Sequence, residues 1–212
     1  DMKPYVYKTA DFGQTWTALA TDAVEGFCHV IREDLESANL LFLGTELGLF
    51  VSVDGGAQWA RFEGNVPKVP VRDLAIHPRE HDLIIATHGR GILIVDDIAP
   101  LRQLTQDVLE ADVAMLKSRP SVLRIPAGEQ EFPGDDEYFG PNPPDAVQIT
   151  YYLKNRHMVG DLKLEVLDAN GKVISTLPGT KRRGLNRVSW MARQKPPRIP
   201  PASTLVPQMF AF

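Results

Sequence analysis

The sequence predicts an all-β protein: a repeated sheet unit, a connecting segment, then a second β region. Three observations carry that prediction. The octapeptides "TADFGQTW" (Thr9 to Trp16) and "SVDGGAQW" (Ser52 to Trp59) share the pattern Ser/Thr-x-Asp-x-Gly-x-x-Trp, with Asp11 and Asp54 43 residues apart. A second landmark, Thr45 and Thr87, recurs 42 residues apart within "NLLFLGTELGLFVSVDGG" and "HDLIIATHGRGILIVDDI". Apolar and polar residues alternate again in "AVQITYYLKN", "GDLKLEVLDANGKVISTL" and "GLNRVSWMAR". Repeats of about 40 to 50 residues, built from short apolar runs and tight turns, mark propeller blades of four strands each.

One period divides into "FCHVI", "LLFLG", "LFVSV" and "AQWARF", separated by turns rich in Asp, Glu, Gly and Asn. The next supplies "VRDLAIH", "DLIIAT" and "GILIVD", and then the series stops. Where a third octapeptide would stand, "DDIAPLRQLTQDVLEADVAML" has the spacing of a connecting segment with a short helix from Thr105 to Met115. Residues 118–146 are rich in Pro, Gly and acids and suit a linker or strap. "DANGK" between two alternating runs predicts a hairpin, because Asn170-Gly171 suits a turn with positive φ. The expected organisation is therefore 1–104 as propeller blades, 105–145 as a short helix and linker, and 146–212 as a β-sandwich. The apolar tail "PPRIPPASTLVPQMFAF" suggests that the sandwich is incomplete. Asp1 followed by "MKPYVYKTADFG" reads like the interior of a longer polypeptide whose signal peptide lies elsewhere.

Bulk composition narrows the function classes. At 212 residues, with 43% hydrophobic and 24% charged residues, the chain has an ordinary globular mixture. A formal charge of −4 gives no basic field for nucleic acid or an anionic membrane, and no apolar run reaches the roughly 18 residues of a membrane helix. Cys28 has no cysteine to pair with and lies in an apolar run, as a small buried thiol does.

The repeated octapeptide has a structural explanation. An Asp side chain accepts backbone N–H bonds from residues just ahead of it, and Gly supplies the positive φ that closes the turn. Asp11 with Gly13, and Asp54 with Gly56, suit those roles. Trp16 and Trp59 are then expected to carry large apolar bodies into the seam between neighbouring sheets.

The two octapeptides resemble the Asp-box, or bacterial neuraminidase repeat, of sialidases, some propeller endoglucanases and sortilin-type receptors. "GTELGLFVSVDGGAQW" followed by "DLIIATHGRGILIVDDIAPLRQL" is similar to the last blades of large secreted bacterial sortilin-like or glycosyl-hydrolase-like repeat proteins. That resemblance spans about Lys3 to Leu104. A weaker one, to their fibronectin- or immunoglobulin-like C-terminal domain, spans about Ala146 to Arg193. It implies C-terminal propeller blades followed by a β-sandwich, a secreted, periplasmic or cell-surface location, and remaining blades as partners. It also implies that the Asp-box joins the third and fourth strands of a blade, away from the ligand face.

The turns between second and third strands then lie on the ligand face. They are Thr45 to Gly48 and Thr87 to Gly91, which makes Glu46, His88 and Arg90 the candidate ligand-binding residues. A carboxylate, an imidazole and a guanidinium at one rim suit a sugar acid or a peptide carboxylate. The structural alternative is that His88 and Arg90 seal a junction with the strap. A sialidase would need an arginine cluster, and Arg90 has no arginine partners on equivalent turns, so that assignment fails. Asp96-Asp97, Glu33-Asp34 and Asp135-Asp136-Glu137 are acidic pairs or runs, but adjacent acids diverge on a strand and do not define a hydrolase pair. "EQEFPGDDEYFG" reads as a solvated loop, with calcium as the minority alternative. His77 and His81 are four apart, yet Pro78 opposes a helix between them, so no zinc or other metal site and no cofactor is assigned. "THGRG" lacks the spacing of a phosphate loop, "TKRRG" suits a solvated hairpin tip, and no catalytic residue is assigned.

Three functions are therefore in play: a non-catalytic glycan- or peptide-binding scaffold, a glycoside hydrolase whose carboxylates lie on blades outside this chain, and a structural C-terminal module. The scaffold leads, on the sortilin-like resemblance.

Overall fold

In the computed structural model, residues 2–122 and 146–193 are described. The chain forms five small antiparallel sheets, none of which closes on itself among the described residues. The first pairs β1 (Tyr7–Lys8) with β2 (Thr17–Ala18). The second is a four-stranded meander of β3 (Cys28–Glu33), β4 (Leu41–Thr45), β5 (Gly48–Ser52) and β6 (Ala60–Arg61). The third is a three-stranded meander of β7 (Val71–Ile76), β8 (Leu83–Thr87) and β9 (Ile92–Val95).

These three sheets stack, and the stacking explains the sequence of the middle one. One of its faces sets Leu41, Leu43, Phe50 and Trp59 against Val6 and Val24. The other sets Leu40, Phe42 and Leu49 against Val71, Leu74, Leu83 and Ile85. Because both faces are covered, β4 reads as a continuous apolar run rather than an alternation. At Gly44 a Cβ would lie 2.7 Å from Val71 Cγ1 and 2.8 Å from Val30 Cγ1, so the missing side chain lets the second and third sheets approach. Cys28 packs half-buried beside the first of these clusters, and burial pushes its thiol pKa up.

The two octapeptides fold alike. Asp11 Oδ1 accepts from Thr15 N at 2.8 Å, and Thr9 Oγ1 accepts from Gly13 N at 2.8 Å. Asp54 Oδ1 accepts from Gln58 N at 2.9 Å, and Ser52 Oγ accepts from Gly56 N at 2.8 Å. Gly13 and Gly56 hold φ of 90° and 95°, as expected for the closing glycine. The tryptophans part company. Trp59 is 5% exposed and seats in the seam, whereas Trp16 is 60% exposed and its Nε1 donates to Gly13 O of its own hairpin. The expectation that Trp16 fills a seam is corrected, because among the described residues no sheet lies against it.

After β9 a 3-10 turn, Ala99–Gln103, opens on Pro100 and leads to α1 (Gln106–Glu110), capped by the Thr105 hydroxyl. The helix expected to reach Met115 ends at Glu110: Val113–Leu116 forms β10, paired with Thr150–Leu153 of β11 (Val147–Leu153). Ladder bonds to an available strand outweigh the weak helical preference of "DVAML". The segment expected to be wholly a connector thus contributes a strand, in a sheet ordered β10, β11, β14, where β14 is Gly184–Trp190.

The fifth sheet is the hairpin of β12 (Lys163–Leu167) and β13 (Val173–Pro178). Its turn forms at "DANGK", with Gly171 at φ 80° and Asp168 Oδ1 accepting from Asn170 N and Lys172 N at 2.8 and 2.9 Å. Arg187 of β14 donates to the carbonyls of Asp96 and Asp97, both at 2.8 Å, tying this region to the third sheet. Most of the Pro- and acid-rich strap and the apolar tail fall at 123–145 and 194–212, outside the described residues.

Candidate functional site

Strand direction puts the turns Thr45–Gly48 and Thr87–Gly91 at the same ends of their meanders, with the octapeptide turn after β5 at the opposite end. The first turn is held by Thr45, whose hydroxyl donates to Glu25 O at 2.8 Å and accepts from Leu47 N at 3.1 Å. Glu46 N donates to Phe27 O at 3.0 Å, which pins the backbone below its carboxylate.

Glu46 does not pair with His88 or Arg90. Its Oε2 lies 2.7 Å from His29 Nε2 and 3.6 Å from Arg72 NH2. Arg72 NH1 in turn stands 3.1 Å from His29 Nε2, and the Phe27 ring packs edge-on to His29 with centroids 4.8 Å apart. Sequence reasoning missed both His29 and Arg72. They hold the same place in the repeat, 43 residues apart. In β3 the register passes from Cys28↔Thr45 to Val30↔Gly44, and in β7 from Val71↔Thr87 to Asp73↔Ala86. His29 and Arg72 are therefore the unpaired residues of two equivalent bulges, a device that re-aims a side chain out of the ladder. The repeat period, laid over "FCHVI" and "VRDLAI", was the signal that equates them.

Beside this cluster Arg61 donates to Glu25 Oε2 and to Leu47 O, both at 2.6 Å, with its guanidinium 4.9 Å from the centre of the Phe50 ring. The rim thus alternates carboxylate and cation across the second sheet and into the third.

The second turn is braced by its backbone and by Thr87, whose hydroxyl donates to Gly91 O at 2.6 Å, while His88 N donates to Pro70 O at 2.9 Å. Gly89 and Gly91 take φ of 82° and 70°, which gives the loop its tight path. The His88 and Arg90 side chains are exposed, and neither makes a side-chain hydrogen bond or ion pair among the described residues. Arg102, in the 3-10 turn after β9, donates to Asp34 Oδ2 and Oδ1 at 2.8 and 2.9 Å and to Glu36 at 2.6 Å, joining that turn to the second sheet; most of the strap lies outside the described residues.

The other acidic candidates are accounted for structurally. Burial pushes the Asp34 carboxyl up, but the Arg102 bonds and the N–H groups of Glu36 and Ser37 outweigh it, leaving the pKa below the usual carboxylate range. Asp97 is buried, takes φ 49° and accepts from Ala99 N at 3.2 Å. Burial, then the Asp82 charge, pushes the Asp96 carboxyl up. His77 and His81 flank a turn rather than a helix, with His77 Nδ1 accepting from Glu80 N at 3.0 Å. Asp135, Asp136 and Glu137, with the calcium alternative, lie outside the described residues. Among the described residues no three His, Cys, Asp or Glu side chains gather as a metal site, and no helix is long and apolar enough to cross a membrane.

Compared with family models, curated proteins and solved structures, the chain matches none at a significant level.

Proposed function

We propose that this chain is part of a secreted, Asp-box propeller scaffold that binds an anionic group of a glycan or peptide at the rim formed by the turns Thr45–Gly48 and Thr87–Gly91. The observation that supports it is the disposition of charge there. Two equivalent bulges turn His29 and Arg72 toward Glu46, while the His88 and Arg90 side chains have no partner among the described residues at the neighbouring turn. A guanidinium already engaged by a carboxylate is held in place; one without a partner is available for bidentate contact with a ligand carboxylate. In this reading Arg90 binds, His88 adds a donor, and Glu46 positions Arg72. The β-sheets of 146–193 belong to an immunoglobulin- or fibronectin-like module that follows the blades.

The test is an amide NMR titration of the chain with glucuronate and with a short peptide bearing a free C-terminal carboxylate. The methyl ester and the amidated peptide serve as neutral controls. Shifts confined to residues 45–48, 72 and 87–91, absent with the controls and abolished by Arg90→Ala, are expected. With one or two charged contacts at an exposed rim, a Kd of about millimolar order is the scale. Shifts of equal size with the neutral controls, or none at the rim, would overturn the reading.

A further inference from the structure

The sheet of β10, β11 and β14 has two ends of different character. Val113 at the start of β10 stands opposite Leu153 at the end of β11, and Leu153 stands opposite Gly184 at the start of β14. Both connections between this sheet and the β12–β13 hairpin, residues 154–162 and 179–183, therefore lie at one end. The described residues stop after β10, resume before β11 and stop again after β14, all at the opposite end. The two connections are thus closed by the described chain itself.

They are also tied into one surface. Gly179 N donates to Leu162 O at 2.8 Å and His157 N to Lys181 O at 3.1 Å, while Lys181 Nζ donates to Gly160 O. From beneath, the buried Tyr151 donates its hydroxyl to Thr180 O at 2.6 Å, and the buried Asn186 donates Nδ2 to Arg182 O at 2.8 Å. The backbone of "TKRRG" is fixed by its base, and the side chains of Arg182 and Arg183 stand exposed.

This surface joins positive charge to bare apolar area. Within the two connections Lys154, Arg156, Lys181, Arg182 and Arg183 are set against one carboxylate, Asp161. Glu110 and Asp112 adjoin the edge, where Lys154 donates to their carbonyls at 3.0 and 3.1 Å. The formal charge of −4 is therefore unevenly placed along the chain. Midway along the first connection, Met158 and Val159 are 76% and 83% exposed. A solvated turn gains nothing from two adjacent bare apolar side chains, whereas burying them at the headgroup boundary of a bilayer is favourable.

We propose that this end of the sheet docks on a bilayer bearing anionic lipid headgroups, with Met158 and Val159 entering the headgroup boundary and the surrounding cations meeting the phosphates. Guanidinium groups suit phosphate bidentately. The apolar pair separates a lipid surface from a soluble polyanion, which offers the cations the same chemistry but gives Met158 and Val159 no apolar phase to enter.

Co-sedimentation of the full chain with vesicles of phosphatidylcholine, with and without phosphatidylglycerol, tests this. Pelleting with the mixed vesicles, weakened by added salt and slight with phosphatidylcholine alone, is expected. Arg182→Ala should lower the partition coefficient roughly fivefold, the scale for one cation near an anionic surface. Met158→Ser removes apolar area without changing charge and should lower it about tenfold. Both side chains are exposed, so each variant should keep the circular dichroism of the parent. No pelleting, or equal pelleting with neutral vesicles, would overturn the proposal. So would binding that heparin competes away and that Met158→Ser leaves unchanged, since that result assigns the cations to a soluble polyanion.

Discussion

Trp59 and Trp16 occupy the same position of the repeated octapeptide, yet the Trp59 indole donates to Leu19 O, 2.8 Å away just beyond β2, while the Trp16 indole donates to Gly13 O, 3.1 Å away in its own hairpin. The hairpin sets the direction of the ring in both cases. Whether a sheet stands there to receive it makes the difference between a core residue and a surface one.

Trp59→Ala should therefore cost about 3–5 kcal/mol of unfolding free energy, the usual range for removing a buried large aromatic. Trp16→Ala should stay within about 0.5 kcal/mol, as surface changes generally do. Urea unfolding followed by circular dichroism checks both, and equal losses would contradict the assigned burial.

Asp11 should titrate far below an ordinary aspartate. The Thr15 hydroxyl and then the Thr15 N–H, with Thr9, hold its carboxyl down to about 2 from an ordinary 3.8. Its unfolded value is the higher one, so its contribution to hairpin stability is complete above the ordinary range and fades as pH falls toward 2. Carboxyl-detected NMR should place its midpoint near 2, and Thr15→Ala should move that midpoint upward.

Arg102→Ala should destabilise strongly, because the Asp34 side chain is fully buried and loses both bonds of a bidentate pair. Breaking a buried pair from one side costs roughly 3–5 kcal/mol. Arg102→Lys should recover little of it, since one ammonium cannot present the guanidinium fork. Thermal unfolding of the three proteins in parallel gives the comparison.

Gly44→Ala should lower the unfolding temperature although alanine is the smallest addition. Its Cβ would press on Val71 Cγ1 at 2.7 Å and on Val71 O at 2.9 Å, and a backbone atom cannot step aside as a flexible side chain can. Overpacking of this kind costs about 1–3 kcal/mol. A neutral result by differential scanning calorimetry would mean that the second and third sheets part readily.

Much of this was legible along the chain, for a physical reason. A β-hairpin is closed by residues a few positions apart, so Thr9 with Asp11, Ser52 with Asp54, and Asp168 with Gly171 declare their turns locally. The continuous apolar run at β4 likewise declares a strand covered on both faces. The segment 113–116 was misread because its helical or extended state depends on β11, more than thirty residues away, whose strand it joins.

At the candidate site, the turns holding Glu46, His88 and Arg90 were readable from the repeat, but the partners of Glu46 were not. A bulge is a mismatch between two strands, and neither strand contains it alone. The sequence by itself determined the all-β character, the repeat and its hairpin chemistry, because those rest on neighbouring residues. The tertiary structure decided which tryptophan is buried, that His29 and Arg72 reach Glu46, and that residues 113–116 extend as a strand, because each depends on what the rest of the chain brings alongside.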